Sequence, residues 1–331
     1  MNALWFDLGN ISLRQLRQPQ PAEGEVLLRT RLAGICGTDI ALLEGYSQFR
    51  GVPGHEFVAD VVAGPAHWLG QRVVAGINLG CGDCDFCVLG RPEHCRARQV
   101  VGIRQAQGAF ADYLCMPESN LLAVPAELSD ELAAMAEPVA AALQILQQLS
   151  VPANAKVLII GAGRMAQLIA RVLLQQTSNI DVLARTDQRW RYFAGLPVGL
   201  LTGELQAVQH YDIVVECSGN PSGLATAIAA VKPLGTIVLK STYGAETQID
   251  ASNLVVNEVT LLGSRCGPMA LALEWLVRNP LPAEIIASQT FGLEEGERAL
   301  EMAMSADAGK CFFALGQKAP TDSSKGRPSE S

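Results

Sequence analysis

Cys81, Cys84, Cys87 and Cys95 stand at C-x2-C-x2-C-x7-C spacing. Short C-x2-C turns deliver thiolates in pairs, and four of them make a tetrahedral Zn²⁺ site with bonds of about 2.3 Å. Gly80, Gly82 and Gly90, in or beside the run, give a tight loop its backbone freedom. A disulfide loop is the other use of such cysteines, but without an export signal the pattern favours metal. A site closed by four thiolates leaves no position for substrate. This metal is expected to fold a lobe, and the chemistry lies elsewhere.

A second set of donors is dispersed. Cys36-Gly-Thr38-Asp39, Gly54-His55-Glu56 and Glu137-Pro138 offer a thiolate, an imidazole and carboxylates. A catalytic zinc takes three protein ligands and keeps a fourth position for water or substrate. Cys36 and His55 with one of the two glutamates meet that requirement, and the residues alone leave Glu56 and Glu137 both open.

The third constellation is Gly161-Ala-Gly163-Arg164-Met165-Ala166, which follows an apolar strand and opens a helix. Gly161 permits the tight turn, Gly163 lets backbone approach a pyrophosphate, and Ala166 allows close packing. The helix start, with Arg164 and Met165, supplies free N–H groups for phosphate, so these residues are read with the cofactor site. The next strand ends at Arg185-Thr186, with Asp187 just beyond. Arginine there suits a 2′-phosphate, so NADP is preferred and NAD is possible. A two-residue register shift would instead make Asp187 the ribose ligand and NAD the cofactor.

These residues need two kinds of scaffold. Residues 1–124 read as many short strands with Gly and Pro turns, at 25–32, 56–62, 71–76 and 108–114, which suggests a barrel-like β domain. From Pro125 the texture changes. Ser129 caps a helix, and strands at 156–161, 180–184, 212–217, 235–240 and 259–263 alternate with helices. That alternation implies an α/β doubly wound parallel sheet, a Rossmann domain over 125–285. Strands at 285–291 and 310–315 flank a helix at 294–304 and return to the first domain, leaving 316–331 as a disordered tail.

The 331 residues, 49% hydrophobic and 18% charged, fit two soluble domains. A net charge of −8 without a basic cluster speaks against nucleic acid as a partner, despite the zinc lobe. Neither a signal peptide nor a membrane-length apolar run is evident, so a cytoplasmic, reducing location is expected.

In this order, Gly34-Ile-Cys-Gly-Thr-Asp, Gly54-His-Glu, the four-cysteine lobe, Glu137-Pro138, Gly161-Ala-Gly163 and Lys310-Cys-Phe-Phe resemble the zinc-dependent medium-chain dehydrogenase/reductases, the alcohol dehydrogenase superfamily. The resemblance runs from about residue 20 to 315 and is closest to the threonine, sorbitol and glucose dehydrogenase branches. It implies a GroES-like catalytic domain and an active site in the cleft beside the Rossmann domain. It makes Cys36 and His55 zinc ligands, with Glu137 at the third-ligand position and Glu56 binding directly or through water. Thr38 would take the substrate proton, and Asp39 would orient the ligand histidine. Two zincs per chain, a small alcohol or carbonyl substrate and a homo-oligomer follow by analogy. Ala41 stands where some relatives have a relay histidine, so Thr38 must pass its proton elsewhere. Tyr46, Phe49 and Ser241-Thr242-Tyr243 are candidates to shape the pocket. The alternatives are a zinc-less carbonyl or enone reductase and a non-enzymatic dinucleotide sensor.

Overall fold

The computed structural model describes residues 1–243, 246–282, 285, 289–305 and 309–316. In the N-terminal part, the long strand Glu25–Gly34 is the spine. It pairs antiparallel with Glu56–Ala63, Tyr113–Pro117 and Phe312–Ala314. Arg72–Ala75 and Leu121–Ala123 extend the sheet on one side, Thr290–Phe291 on the other. Alternation along these strands sends Val26, Leu28, Phe57, Ala59 and Phe313 into one core, which Phe110 joins from a bend. The returning strand Phe312–Ala314 brings Lys310 and Cys311 beside Ile35, whose N–H donates to Cys311 O at 2.9 Å.

The second part is a six-stranded parallel sheet. Its spatial order is Gly199–Thr202, Ile180–Ala184, Val157–Ile160, Tyr211–Glu216, Val231–Leu239 and Thr260–Gly263. Numbered by sequence, that order is 3-2-1-4-5-6, so the winding reverses beside Val157–Ile160. All four residues of that strand are buried, because helices cover both faces and the strand needs no polar side. Helices Arg164–Leu173 and Ala136–Gln148 supply much of that cover. Strand Gly199–Thr202 is short and lacks the apolar alternation that would mark it out in the sequence.

Ser129 caps helix Asp130–Ala134, its Oγ accepting from Leu132 N at 3.2 Å. A second helix, Ala136–Gln148, then carries Glu137 in its first turn. Of the strand expected at 285–291, the described residues give only Thr290–Phe291. The helix near 294–304 spans Gly296–Met304 after a short 3₁₀ turn. The expected tail lies, from residue 317, outside the described residues.

Candidate functional site

Cys36 is the N-cap of helix Gly37–Leu43. Asp39, at the third helical position, turns back and accepts from Cys36 N through Oδ2 at 2.8 Å. Its other oxygen accepts from Gly54 N at 3.3 Å and lies 3.4 Å from His55 Nδ1. One fully buried carboxylate therefore holds both loops that carry the donors. Gly54 has φ +96°, and a Cβ there would sit 2.4 Å from the Phe110 ring. Only glycine delivers His55 to this place. Thr38 Oγ1 lies 3.8 Å from Cys36 Sγ.

The donor atoms of Cys36, His55 and Glu56 all lie within 4.8 Å of one another. Their electrostatics suit a cation. Burial pushes the Cys36 thiol up, but hydrogen bonding and charge from His55, with Lys310 behind them, bring it down to about 6. Burial opposes charge on His55, yet Asp39 and Cys36 together hold it well above its ordinary range. With Nδ1 turned to Asp39, the other ring nitrogen is left for a metal. Glu137 stands outside this group of three but is electrostatically coupled to His55, Cys36 and Lys240. Burial raises its carboxyl to about 7, against the pull of His55. A thiolate, an oriented imidazole and a carboxylate are donors that zinc accepts, so the residues fit the ion.

Two lysines that carried no functional reading in the sequence belong here. Lys310 is buried and ion-paired with Glu56. The pair leaves no room at Gly34, where a Cβ would meet Lys310 Cε at 2.7 Å and Glu56 Oε2 at 2.9 Å. Burial lowers the Lys310 ammonium from its usual range. Lys240 is half-buried, its ammonium brought down to about 8 by desolvation. Its only sequence signal is a lysine closing an apolar strand.

The four-cysteine lobe closes on itself. Cys95 Sγ is 3.6 Å from Cys81 Sγ, and Cys81 Sγ is 4.0 Å from Cys87 Sγ. All four sulfurs fall within 4.8 Å of one another. Tetrahedral thiolates at zinc bond length sit about 3.8 Å apart, so the cluster fits the ion. All nine cysteines are free thiols.

The Gly-rich turn borders a cavity of about 930 Å³ at the reversal of strand order. Gly161 has φ +110°, and a Cβ there would press on Ser218 Cα at 2.9 Å. Gly163 caps helix Arg164–Leu173 without a side-chain hydrogen bond, leaving its first N–H groups open. Arg185, Thr186 and Arg189 form a second wall, and Ser218 to Asn220 a third wall. Asp187 does not line the cavity, and neither do Arg164 or Met165. Arg164 reaches away and donates to Ala303 O and Gly309 O at 3.2 and 3.4 Å, while Met165 packs on the sheet core. Arg189, not singled out in the sequence, lies beside Gly163. Buried Glu216 shapes the third wall by accepting from Ser218 N at 2.8 Å, from the Ser218 hydroxyl and from Tyr243 OH at 2.5 Å. Ser241 Oγ accepts from Gly219 N at 2.9 Å. Phe49 is buried in the first domain's core.

The alcohol dehydrogenase GroES-like domain model matches residues 22–126, and the zinc-binding dehydrogenase model matches 201–278. The shikimate/quinate 5-dehydrogenase model matches 141–232, within the dinucleotide-type sheet. The starvation-sensing protein RspB of Escherichia coli is 27% identical over 306 residues, covering 86% of this chain and 89% of that protein. Sorbitol dehydrogenase of Halalkalibacterium halodurans is 25% identical over 335 residues, covering 92% and 96%. Among solved structures, a protein described as a zinc-binding dehydrogenase from Sinorhizobium meliloti, bound to NADP, superposes with a TM-score of 0.85 at 25% identity, covering 95% of this chain and 98% of that one. Alcohol dehydrogenase TADH from Thermus sp. ATN1 gives 0.86 at 26% identity, covering 95% and 100%. No helix among the described residues is long and apolar enough to cross a membrane.

Proposed function

The chain belongs to the zinc-dependent medium-chain dehydrogenase/reductases, the alcohol dehydrogenase superfamily, and on that premise we propose that it transfers a hydride between NAD(P) and a secondary alcohol or polyol, or the corresponding carbonyl. The observation that carries this reading is the convergence of the Cys36 and His55 donors within 4.8 Å, with a glutamate beside them and Glu137 electrostatically coupled to both, in the domain that precedes the nucleotide-type sheet.

Two zincs per chain are proposed. Cys81, Cys84, Cys87 and Cys95 would hold the structural one. Cys36, His55 and Glu137 would hold the other, where Zn²⁺ supplies Lewis acidity at the substrate's C–O group. Glu137 is favoured over Glu56 because Glu56 is already engaged by Lys310, whereas no cation lies within ion-pair distance of Glu137 among the described residues. The nicotinamide cofactor supplies or accepts the hydride when bound.

The chain's own groups do the rest. Thr38 Oγ1, beside Cys36, takes the substrate hydroxyl proton. With Ala41 in place of a relay histidine, that proton passes to a ribose hydroxyl, water or a carboxylate. Asp39 fixes the ring of His55 and the loop of Cys36 together. Gly161 and Gly163 admit the pyrophosphate against the open helix start. Arg185 and Arg189 in the cavity lining favour NADP, whose 2′-phosphate needs cations. The site takes a small-molecule substrate, and family likeness points to a dimer or tetramer.

The test is a panel of secondary alcohols, polyols and amino alcohols, each assayed with NAD and NADP on protein of measured zinc content. Turnover of at least one class by protein with two zincs per chain is expected. Turnover by protein holding only the cysteine-lobe zinc would remove the catalytic metal from this reading.

A further inference from the structure

Lys240 follows strand Val231–Leu239, and its backbone N–H donates to Glu216 O at 2.9 Å, so its root belongs to the sheet. Its side chain leaves the sheet. Nζ donates to Ala141 O at 2.6 Å, to Arg265 O at 3.1 Å and to Ser264 Oγ at 3.4 Å. Ala141 lies four residues beyond Glu137 in helix Ala136–Gln148, on the same face. Ser264 and Arg265 directly follow the edge strand Thr260–Gly263. One ammonium thus joins the carboxyl ends of two parallel strands to the helix that carries Glu137. The contact between these parts is close: a Cβ on Gly267 would fall 1.9 Å from Ala140 O.

This is an expensive way to pack a helix. No carboxylate lies within ion-pair distance of Lys240 Nζ among the described residues, and its partners are two carbonyls and a hydroxyl. Holding a half-buried ammonium among neutral acceptors costs desolvation that an apolar side chain of equal length avoids. Helix Ala136–Gln148 already has an apolar buried face against the sheet. Adhesion alone does not account for the charge. The carboxylate acting most strongly on Lys240 is Glu137.

We infer that Lys240 is a positioning residue: it fixes the first turns of helix Ala136–Gln148 to the strand ends of the dinucleotide-type sheet, and so places Glu137 as the third ligand of the proposed metal site. The inference rests on the metal site proposed above. It couples the grip on the metal to the sheet that borders the cofactor cavity.

The test compares wild type, Lys240→Met and Lys240→Arg, loaded with Zn²⁺ and separately with Co²⁺. Metal release into a chelator is followed over time, and the Co²⁺ d–d spectrum is recorded with and without NADPH. In Lys240→Met one of the two metals should leave at least tenfold faster, while the cysteine-lobe metal leaves at the wild-type rate. The d–d response to NADPH should shrink in Lys240→Met and return in Lys240→Arg. In a Glu137→Gln background, Lys240→Met should add no further loss, because both changes act on one ligand. Should Lys240→Met not fold, Lys240→Gln, which removes the charge and keeps one donor, is read by the same criterion. Wild-type release rates for both metals in the variant overturn the inference. A wild-type chain that binds a single metal removes the metal site itself, and with it any role for Lys240 there.

Discussion

Asp39 Oδ1 lies 3.4 Å from His55 Nδ1 at a point where neither side chain reaches solvent. The separation is within ion-pair range but long for a hydrogen bond. The same carboxylate holds Cys36 N and Gly54 N, so one side chain sets the spacing of two loops 15 residues apart. Asp39→Asn keeps the shape, removes the charge and turns one accepting oxygen into a donor facing an N–H. Metal affinity at the Cys36–His55 site should fall by about 10- to 100-fold. Chelator competition on zinc-loaded protein measures it, and the cysteine-lobe zinc serves as the internal control. An unchanged affinity would leave Asp39 with only a structural part.

The lobe makes a complementary prediction. Cys84→Ser removes one of four sulfurs that lie within 4.8 Å of each other. Three thiolates hold zinc less firmly, and nothing else in the 81–95 loop replaces the cross-link. Zinc content should drop by one per chain, and residues 81–95 should become sensitive to protease. Cys36→Ala should also lose one zinc, together with turnover, while NADPH binding stays. Metal analysis and dye-free fluorescence titration of NADPH separate the two variants.

The legible parts of this chain are those in which chemistry dictates spacing. The C-x2-C-x2-C-x7-C run needs its sulfurs close in sequence, so the lobe is visible before it folds. The Gly161 turn is legible because only glycine tolerates its φ and its approach to Ser218. Both lysines escaped notice for a physical reason. Lys310 reaches Glu56 across 254 residues, and Lys240 reaches Ala141 across 99. No local pattern encodes such contacts, and a lysine at the end of an apolar strand reads as a surface anchor. Arg164 divides the two cases: its backbone belongs to the helix start that the Gly-rich pattern marks, while its side chain reaches the carbonyls of Ala303 and Gly309, which no local pattern announces. Strand Gly199–Thr202 was missed because an edge strand four residues long needs neither alternation nor a continuous apolar run.

Asp212 offers a pH test of the sheet away from the site. Lys232 Nζ donates to it at 2.8 Å and Lys156 N at 2.8 Å, so the carboxyl is held below its usual range, Lys232 being the larger cause. A depressed folded value means stability that is present above the unfolded carboxylate range, near pH 4, and is lost as pH falls through the folded value. The side chains are 37% and 42% exposed, so the effect is screened and worth less than about 1 kcal/mol. Asp212→Asn should lower Tm slightly at pH 7, and the gap between wild type and variant should shrink as pH falls below about 4 and on through the folded value. A Tm gap that does not shrink on that descent would assign the effect to something other than the charge.

Arg185 decides the cofactor prediction. It shares the cavity rim with Arg189, and Asp187 is not part of that wall. An arginine–phosphate contact contributes about 1.5–3 kcal/mol, which is roughly ten- to hundredfold in binding. Arg185→Asp removes that contact and places a carboxylate where a 2′-phosphate would be repelled and a ribose 2′-hydroxyl could donate. The ratio of kcat/KM with NADP to that with NAD should therefore fall at least tenfold, through KM for NADP and with kcat little changed. Measuring both cofactors at saturating alcohol makes the comparison internal, since a general loss of fold lowers both efficiencies together. If the ratio stays fixed, the 2′-position is read by other residues and the arginine is a solvated surface charge.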